Sequence, residues 1–509
     1  MSDSLLHENL DSRNFPFSLA VCCCVAGFLG IACVLIPPSR MLAGLVGSGL
    51  ALCMVKRPVL IALAYLVLAS TIFKYGQAPH VSIGVGTLYL TDLLLLLSFC
   101  IMTVRLVARL DFKIVRTPLD LPLLMFWSAA MISTIAAILA SSLPWKQSLD
   151  ETRVVTSYLM FFAVTNLIRD KRQIKLLIRG IIFLGLIVAM ITIAQHFFAQ
   201  SHVLTVGRIE DATVEGTERI SDVARIVPPG LPMMMVGLAA LFAAFVFEKG
   251  GTLRFFQLGS LAMGLIVTFY RSSWAATGLT VLITGLMAKR DERKRLVVFC
   301  LVTGLLAVVV IMASMSRPES HGAKLLEVAY KRLITLFNSR TYEDPNSSLR
   351  WRDFEYKYAL PHIISNPLIG IGLGAYYRPF TLGKDWGSEE MSDTDEEEPP
   401  DLRSWVHNGH VNILLKTGIF GYAGLMWFMI NILARGFRYW RHMTDPYIRG
   451  VVLAITLTSQ AILIICIVEP YFVEIAWTSV VGITAGINEV AFRLFLPESP
   501  IVNGEKPNA

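Results

Sequence analysis

Charged side chains are scarce in this chain. Asp, Glu, Lys and Arg make up 16% of its 509 residues, against roughly 25% in ordinary soluble domains. Hydrophobic residues make up 54%, and they gather into runs that approach the ~20 apolar residues a helix needs to cross a bilayer. These two features exclude a soluble multidomain protein and predict a polytopic membrane protein.

Cysteine is lacking from every polar segment. All eight cysteines lie inside apolar runs, so disulfides and zinc sites have little support: Cys22, Cys23, Cys24, Cys33, Cys53, Cys100, Cys300 and Cys466. The N-terminal segment also lacks a basic region, because Arg13 is its only cation before the first apolar run. We therefore expect no cleaved signal peptide there.

The apolar runs predict an all-α bundle of about 12–14 transmembrane helices, because lipid offers no partner to unpaired backbone groups. The count is a range because Arg57-Pro58 either separates two spans or kinks one helix. The predicted spans lie near residues 18–36, 41–55, 58–73, 88–104, 121–140, 154–168, 176–197, 228–247, 255–270, 273–288, 296–315, 411–433, 448–467 and 471–492.

These spans divide the chain into four predicted parts. Residues 1–315 form an N-terminal bundle of about eleven helices, and residues 316–410 form one long extracytoplasmic (periplasmic) loop domain. Three further helices follow in residues 411–494, and residues 495–509 form a tail.

Lys and Arg collect in the even-numbered connections, which the positive-inside rule places in the cytoplasm together with both termini. This distribution explains the formal charge of +7, and no nucleic-acid partner is expected. Four cationic positions lie in the odd-numbered connections, as a binding site for an anionic ligand would require: Arg153, Arg208, Arg219 and Arg225. Arg271 and the long loop lie on the same face. Snorkelling of arginine at the interface is the alternative for any one of them.

The long loop itself contains recognisable elements. An amphipathic pattern over His321–Asn338 predicts a helix at the membrane surface, and a second helix is predicted from near Ser347 to just before Asn366-Pro367. The glycines of 370–374 do not follow a predicted strand, so a nucleotide-binding fingerprint is rejected. They are predicted to permit close backbone packing or a tight turn. The acidic run 389–401 is predicted to be a solvated segment, with calcium binding as the alternative.

Three motifs resemble the superfamily of O-antigen ligases and O-antigen polymerases, which are bacterial inner-membrane glycosyltransferases. The first is Tyr270-Arg271-Ser272-Ser273-Trp274 at the start of a span. The second is Ser348-Leu349-Arg350 followed by Asn366-Pro367-Leu368-Ile369-Gly370. The third is His407-Asn408 followed by Gly418-Ile419-Phe420-Gly421. Phe354 stands where the superfamily commonly has tryptophan.

The resemblance implies transfer of a glycan from undecaprenyl diphosphate, with His407 as general base and Arg271 and Arg350 holding the diphosphate. It implies an inverting displacement that needs no metal or cofactor. Further candidates for contacting the diphosphate or the acceptor are Arg153, Arg225, Asn408, His410 and Glu469. Asp92 is as well explained as a buried structural partner. Glu469 and Glu474 are alternative structural partners for Arg271.

The expected partners are the lipid-linked glycan donor, a glycan or lipid acceptor, membrane lipids and other proteins of polysaccharide assembly. A ligase moves the finished glycan onto lipid A–core or a related acceptor. A polymerase, the alternative, joins repeat units from the same donor. A lipid-linked sugar transporter or flippase is the alternative of another class, although no repeat relates the two halves of the chain.

Overall fold

The computed structural model describes residues 49, 52–70, 78–83, 86–108, 112–140, 143–198, 208–214, 218–248, 251–316, 320–334, 348–379 and 404–497. The chain divides into two compact units, residues 1–58 and residues 59–509. In the first unit residues 52–56 are helical, and the helix stops at Arg57. The predicted span 18–36, the acidic run and most of the tail lie outside the described residues. The four cysteines in the described part are free thiols.

The second unit is built from helices, with two small hairpins. Its helices are α1 Val59–Ser70, α2 Leu90–Ala108, α3 Asp120–Leu139, α4 Trp145–Thr156, α5 Met160–Leu167, α6 Lys171–Phe198, α7 Leu231–Phe247, α8 Thr252–Ile266, α9 Arg271–Met287, α10 Arg290–Met315, α11 His321–Ile334, α12 Ser348–Ser365, α13 Gly409–Tyr439, α14 Pro446–Ile465 and α15 Ile475–Phe495. Its strands are β1 His80–Ile83, β2 Gly86–Tyr89, β3 Arg208–Val214 and β4 Glu218–Val227.

The predicted polytopic helical membrane fold is confirmed. Among the described residues, α2, α3, α6, α13, α14 and α15 are long and apolar enough to cross a membrane, and α1, α7 and α8 are shorter apolar helices. The spans predicted from the apolar runs coincide closely with these helices. The predicted span 121–140 is the helix Asp120–Leu139, and the span 448–467 is Pro446–Ile465. At the centre α7 packs against both α6 and α14.

The predicted span 154–168 differs from the structure. It consists of the end of α4, a 3-10 turn at Ser157–Leu159 and the short helix α5. Helix α4 begins earlier, at Trp145, and its first two turns carry Lys146, Asp150 and Glu151. Hydropathy detects only the apolar second part of this stretch, so the polar helix was missed.

The two antiparallel hairpins were also not predicted. Strand β1 pairs with β2, and the longer β3 pairs with β4, with a bulge between Asp211 and Thr213. Both hairpins lie in connections between helices. The apolar residues there do not alternate over a long enough stretch to predict a strand. Strand β4 contacts α11, which belongs to the long loop.

Contacts between connections fall into two groups. At one end Lys175 pairs with Asp445 at 2.6 Å, and Arg493 donates to the carbonyl of Ile168 at 2.6 Å. In the second group, the connections that hold Tyr270 and His407 both contact residues 466–474. The alternation of loops stays a prediction. Which end faces the cytoplasm stays a prediction.

The glycines of 370–374 do permit close backbone packing. Gly370, Gly372 and Gly374 have φ of 79°, 91° and 85°, which glycine adopts without steric cost. The N–H of Gly372 donates to the carbonyl of Lys416 at 3.0 Å. A Cβ on Gly370 would lie 2.5 Å from the carbonyl carbon of Lys416. The loop therefore lies directly against the backbone of α13.

Helix α13 is kinked where this loop meets it. Gly418 has φ 63° and ψ −170° inside the helix, and the freed N–H of Ile419 donates to the carbonyl of Pro367 at 2.9 Å. The buried Lys416 side chain donates to the carbonyl of Ala375 at 2.5 Å and lies 3.6 Å from Glu151 of α4. These bonds fix the end of α12 to the bundle.

Candidate active site

His407 stands immediately before a capped helix. The side-chain oxygen of Asn408 accepts from the N–H groups of His410 at 3.0 Å and Val411 at 3.1 Å, which is the usual N-cap arrangement. The amide nitrogen of Asn408 donates to the Tyr356 hydroxyl of α12 at 2.9 Å. The cap thus ends the loop at a defined residue and ties it to α12.

A buried carboxylate orients the His407 ring. Nδ1 of His407 lies 2.7 Å from Oε1 of Glu355, and its backbone N–H donates to Oε2 of the same residue at 3.0 Å. The Glu355 side chain is 1% exposed and the His407 side chain 29% exposed. Because a carboxylate only accepts, Nδ1 carries the proton toward Glu355. Nε2 is then the ring nitrogen able to take up a proton.

His410 has a different environment, although it is only three residues further on. Its Nε2 lies 3.0 Å from the Leu463 carbonyl, and its Nδ1 lies 3.3 Å from the Tyr422 hydroxyl. Its ring also meets Phe472 edge to face at 5.2 Å. Both ring nitrogens therefore have partners within the protein, and the ring packs α13 against α14.

Arg271 is the first residue of α9. The preceding Phe269 has φ 53°, an uncommon conformation for a bulky residue that usually marks a constrained site. Phe269 is buried and packs against Leu325 and Val328 of α11 and against Trp274. The sequence predicted that the α11 helix lies on the membrane surface. In the structure its apolar face packs against the Arg271 connection (residues 267–270). Arg271 itself is half-buried at the positive end of the α9 dipole.

A second connection, residues 466–474 between α14 and α15, contacts residues close in sequence to both Arg271 and His407. The Tyr270 hydroxyl lies beside the side chains of Glu469 and Tyr471. Burial, followed by the nearby Glu469 carboxylate, raises the pKa of Tyr270 well above its ordinary value, so the hydroxyl stays neutral. The N–H of Gly409 donates to the carbonyl of Cys466 at 2.7 Å. The same connection thus contacts both predicted catalytic segments.

Two further arginines approach this connection. The Arg352 guanidinium donates to the carbonyl of Val468 at 2.8 Å. The Arg225 guanidinium, at the end of β4, lies 4.8 Å from the centre of the Tyr270 ring. Arg350 lies in α12, five residues before Glu355, which is about 7.5 Å along a helix axis. Its side chain lies outside the described part.

Arg153 lies among acidic partners. It contacts Asp92 at 2.9 Å and Asp150 at 2.7 Å, and it donates to the carbonyl of Thr87 at 2.7 Å. Its guanidinium also lies 4.3 Å from the centre of the Tyr89 ring. Asp92 thus has an ionic partner within the protein, and its side chain is 25% exposed, so it is less buried than predicted. The side chains of Arg208 and Arg219 lie outside the part of the chain that the structure describes.

Sequence reasoning missed three buried polar residues at this end. They are Glu355, Lys416 and Arg378, whose guanidinium lies 5.6 Å from the centre of the Phe354 ring. Glu355 lies between two aromatic residues and four positions after Trp351, on the apolar stripe of a predicted helix. A carboxylate on such a stripe was the available signal.

Comparison with protein families gives a match at this site. Residues 256–426 match the family model described as O-antigen ligase. This segment is similar to the O-antigen ligase family. The resemblance seen in the three motifs is confirmed, and the family indicates glycan transfer of the ligase or polymerase type. None of the curated proteins compared with the chain matches it.

The matched segment, residues 256–426, covers the described geometry only in part. It includes Arg271, Arg350, Glu355 and His407. It ends before the 466–474 connection and begins after Arg225. Parts of the chain on both sides of the matched segment therefore contribute contacts to the candidate site.

Proposed function

We propose that this protein transfers a glycan from undecaprenyl diphosphate to an acceptor hydroxyl at the outer face of the bacterial inner membrane. We propose ligase-type transfer, with lipid A–core or a related lipid as the acceptor. The observation that carries the proposal is the His407–Glu355 pair, held at the same end of the bundle as the Arg271 connection.

His407 is the proposed general base. As the acceptor oxygen attacks the anomeric carbon, Nε2 takes the hydroxyl proton, and the positive charge that forms on the ring is stabilised by the Glu355 carboxylate. Histidine suits this step because its charge changes near neutral pH. Glu355 acts through His407, as a positioning residue.

Arg271 and Arg350 are proposed to hold the diphosphate. The bond between the anomeric carbon and the diphosphate oxygen breaks, and its electron pair leaves with undecaprenyl diphosphate. Guanidinium groups remain charged and match phosphate oxygens with two parallel hydrogen bonds. The N-terminus of α9 adds a favourable dipole. Attack from the opposite side of the sugar inverts the anomeric configuration, and the proposal needs no metal ion.

The remaining candidates receive different assignments. Arg225 and Glu469 adjoin Tyr270 and are proposed to contact the diphosphate or the acceptor. Arg153, Asn408 and His410 engage partners within the protein. We propose that these three shape the site.

An in vitro transfer assay tests the proposal. Purified protein is given synthetic undecaprenyl-diphosphate glycan and lipid A–core, with a chelator present. We expect Arg271→Ala, Arg350→Ala and His407→Ala each to lower turnover by at least ~100-fold, the scale for losing a general base or a transition-state stabiliser. Matched controls at the opposite end are the exposed Arg290→Ala and His442→Ala, which should leave turnover unchanged.

The outcomes separate the candidate functions. Near wild-type turnover in all three variants would remove the mechanism. Elongation of the donor glycan with no product on lipid A–core would identify a polymerase. Movement of the lipid-linked glycan across liposomes, with its covalent structure intact, would identify a flippase.

A further inference from the structure

A polar cavity lies at the opposite end of the bundle from His407. It has a volume of about 330 Å³ and lies between α6, α7, α8 and the start of α14. Three cationic side chains line it: Lys175, Arg179 and Arg254. One acidic side chain, Glu248, together with Gln257 and Tyr447, completes the polar lining.

Two of the three cations are already neutralised. Lys175 contacts Asp445 at 2.6 Å, and Arg254 contacts Glu248 at 2.6 Å. Arg179 takes part in no hydrogen bond or ion pair in the described part of the chain, and its side chain is exposed. The cavity therefore carries an excess positive charge, located on Arg179.

The neighbours of Arg179 on its own helix are apolar and outward-facing. Leu176 is 50% exposed and Phe183 61% exposed, three residues before and four residues after Arg179, so the three share one helix face. Ile182, Leu186 and Leu241 line the same cavity. A permanently charged group thus lies at the edge of an apolar slot, the side of the cavity that is lined by Ile182, Phe183, Leu186 and Leu241.

We propose that this cavity binds an anionic phospholipid from the leaflet at this end. The phosphate pairs with the guanidinium of Arg179, and one acyl chain lies along Phe183 and Leu186. Basic pockets between transmembrane helices are suited to anionic lipid headgroups. A free phosphate ion would pair with the charge of Arg179 but would leave the apolar slot unfilled. A phospholipid fills both parts of the cavity. The proposal is independent of glycan transfer.

Native mass spectrometry of the full-length protein in detergent tests this site. The protein is titrated with phosphatidylglycerol and, separately, with zwitterionic phosphatidylcholine. The Arg179→Ala variant is compared with Arg172→Ala, which removes the same charge from an exposed position on the same helix. We expect Arg179→Ala to lower phosphatidylglycerol retention about five-fold, the scale for one cation at a lipid surface, and Arg172→Ala to retain it.

Two further measurements distinguish a phospholipid from a free phosphate ion as the bound molecule. Phe183→Ala should lower retention of the lipid, and inorganic phosphate in millimolar excess should not displace it. Equal retention in Arg179→Ala and Arg172→Ala would overturn the proposal. Equal binding of the zwitterionic lipid, or displacement by inorganic phosphate, would also overturn it. If Arg179→Ala does not fold, Arg179→Gln takes its place with the same expected result.

Discussion

The substitution Glu355→Gln tests how the His407 ring is held. Glu355 accepts two hydrogen bonds from one residue, at 2.7 Å from Nδ1 and at 3.0 Å from the backbone N–H. Glutamine keeps the volume and one acceptor oxygen, but its amide NH₂ then faces one of the two donors. The variant therefore loses one hydrogen bond and the charge that stabilises a protonated ring.

The expected magnitude follows from this loss. A hydrogen bond to a charged group is worth about 1.5–3 kcal/mol, and each 1.36 kcal/mol of transition-state free energy is a tenfold change in rate. Glu355→Gln should therefore lower turnover by about 10- to 150-fold. The KM for the lipid-linked donor should stay near wild type, because Glu355 acts on the base and does not hold the diphosphate.

The transfer assay described above measures this effect, and Asp353→Asn is the matched control. Asp353 lies in the same helix, but it is exposed, so the same loss of charge should leave turnover unchanged. Thermal unfolding of each variant checks that folded protein is being compared. Turnover of Glu355→Gln within two-fold of Asp353→Asn, while His407→Ala is inactive, would refute the positioning role.

Other substitutions test the surrounding framework. Gly374→Ala should destabilise the protein by about 1–3 kcal/mol in thermal unfolding, since it combines positive φ with a Cβ 2.7 Å from a backbone oxygen of α4. Gly278→Ala, with open space around its Cβ, should be neutral or slightly stabilising; an equal loss in both would contradict this account. Lys416→Met should cost about 3 kcal/mol because it leaves Glu151 without its cation, and unchanged unfolding would show that the pair is unimportant. Tyr270→Phe keeps the ring beside Arg225 but removes the polar hydroxyl beside Glu469, so turnover should fall about tenfold; unchanged turnover would show that this contact with the 466–474 connection does not contribute to catalysis.

The membrane helices could be predicted because a single physical quantity, the mean hydropathy of about 20 consecutive residues, determines whether a segment can cross the bilayer as a helix. Helices such as Asp120–Leu139 and Pro446–Ile465 are found within a few residues of the predicted spans. The polar helix α4 could not be found in this way. Its charges are satisfied by distant residues, such as Arg153 by Asp92, 61 positions away.

The candidate site was predictable as a set of residue types and not as a set of contacts. Arg271 and His407 stood out as a cation and a titratable group in unusual places. Glu355 gave a weaker signal, because its position on the apolar stripe of a helix does not reveal its contact with His407. The role of the 466–474 connection arises from tertiary contacts across nearly 200 residues of sequence, from Tyr270 to Glu469.

The central claim is that Arg271, Arg350 and His407 act together at the outer face of the membrane. Sidedness labelling tests it most directly: single cysteines at positions 271, 350 and 407, in a background without the eight native cysteines, are treated with a membrane-impermeant maleimide in spheroplasts. We predict that all three positions are labelled from outside. Labelling of position 271 only after the membrane is opened, with 350 and 407 labelled from outside, would contradict a shared site.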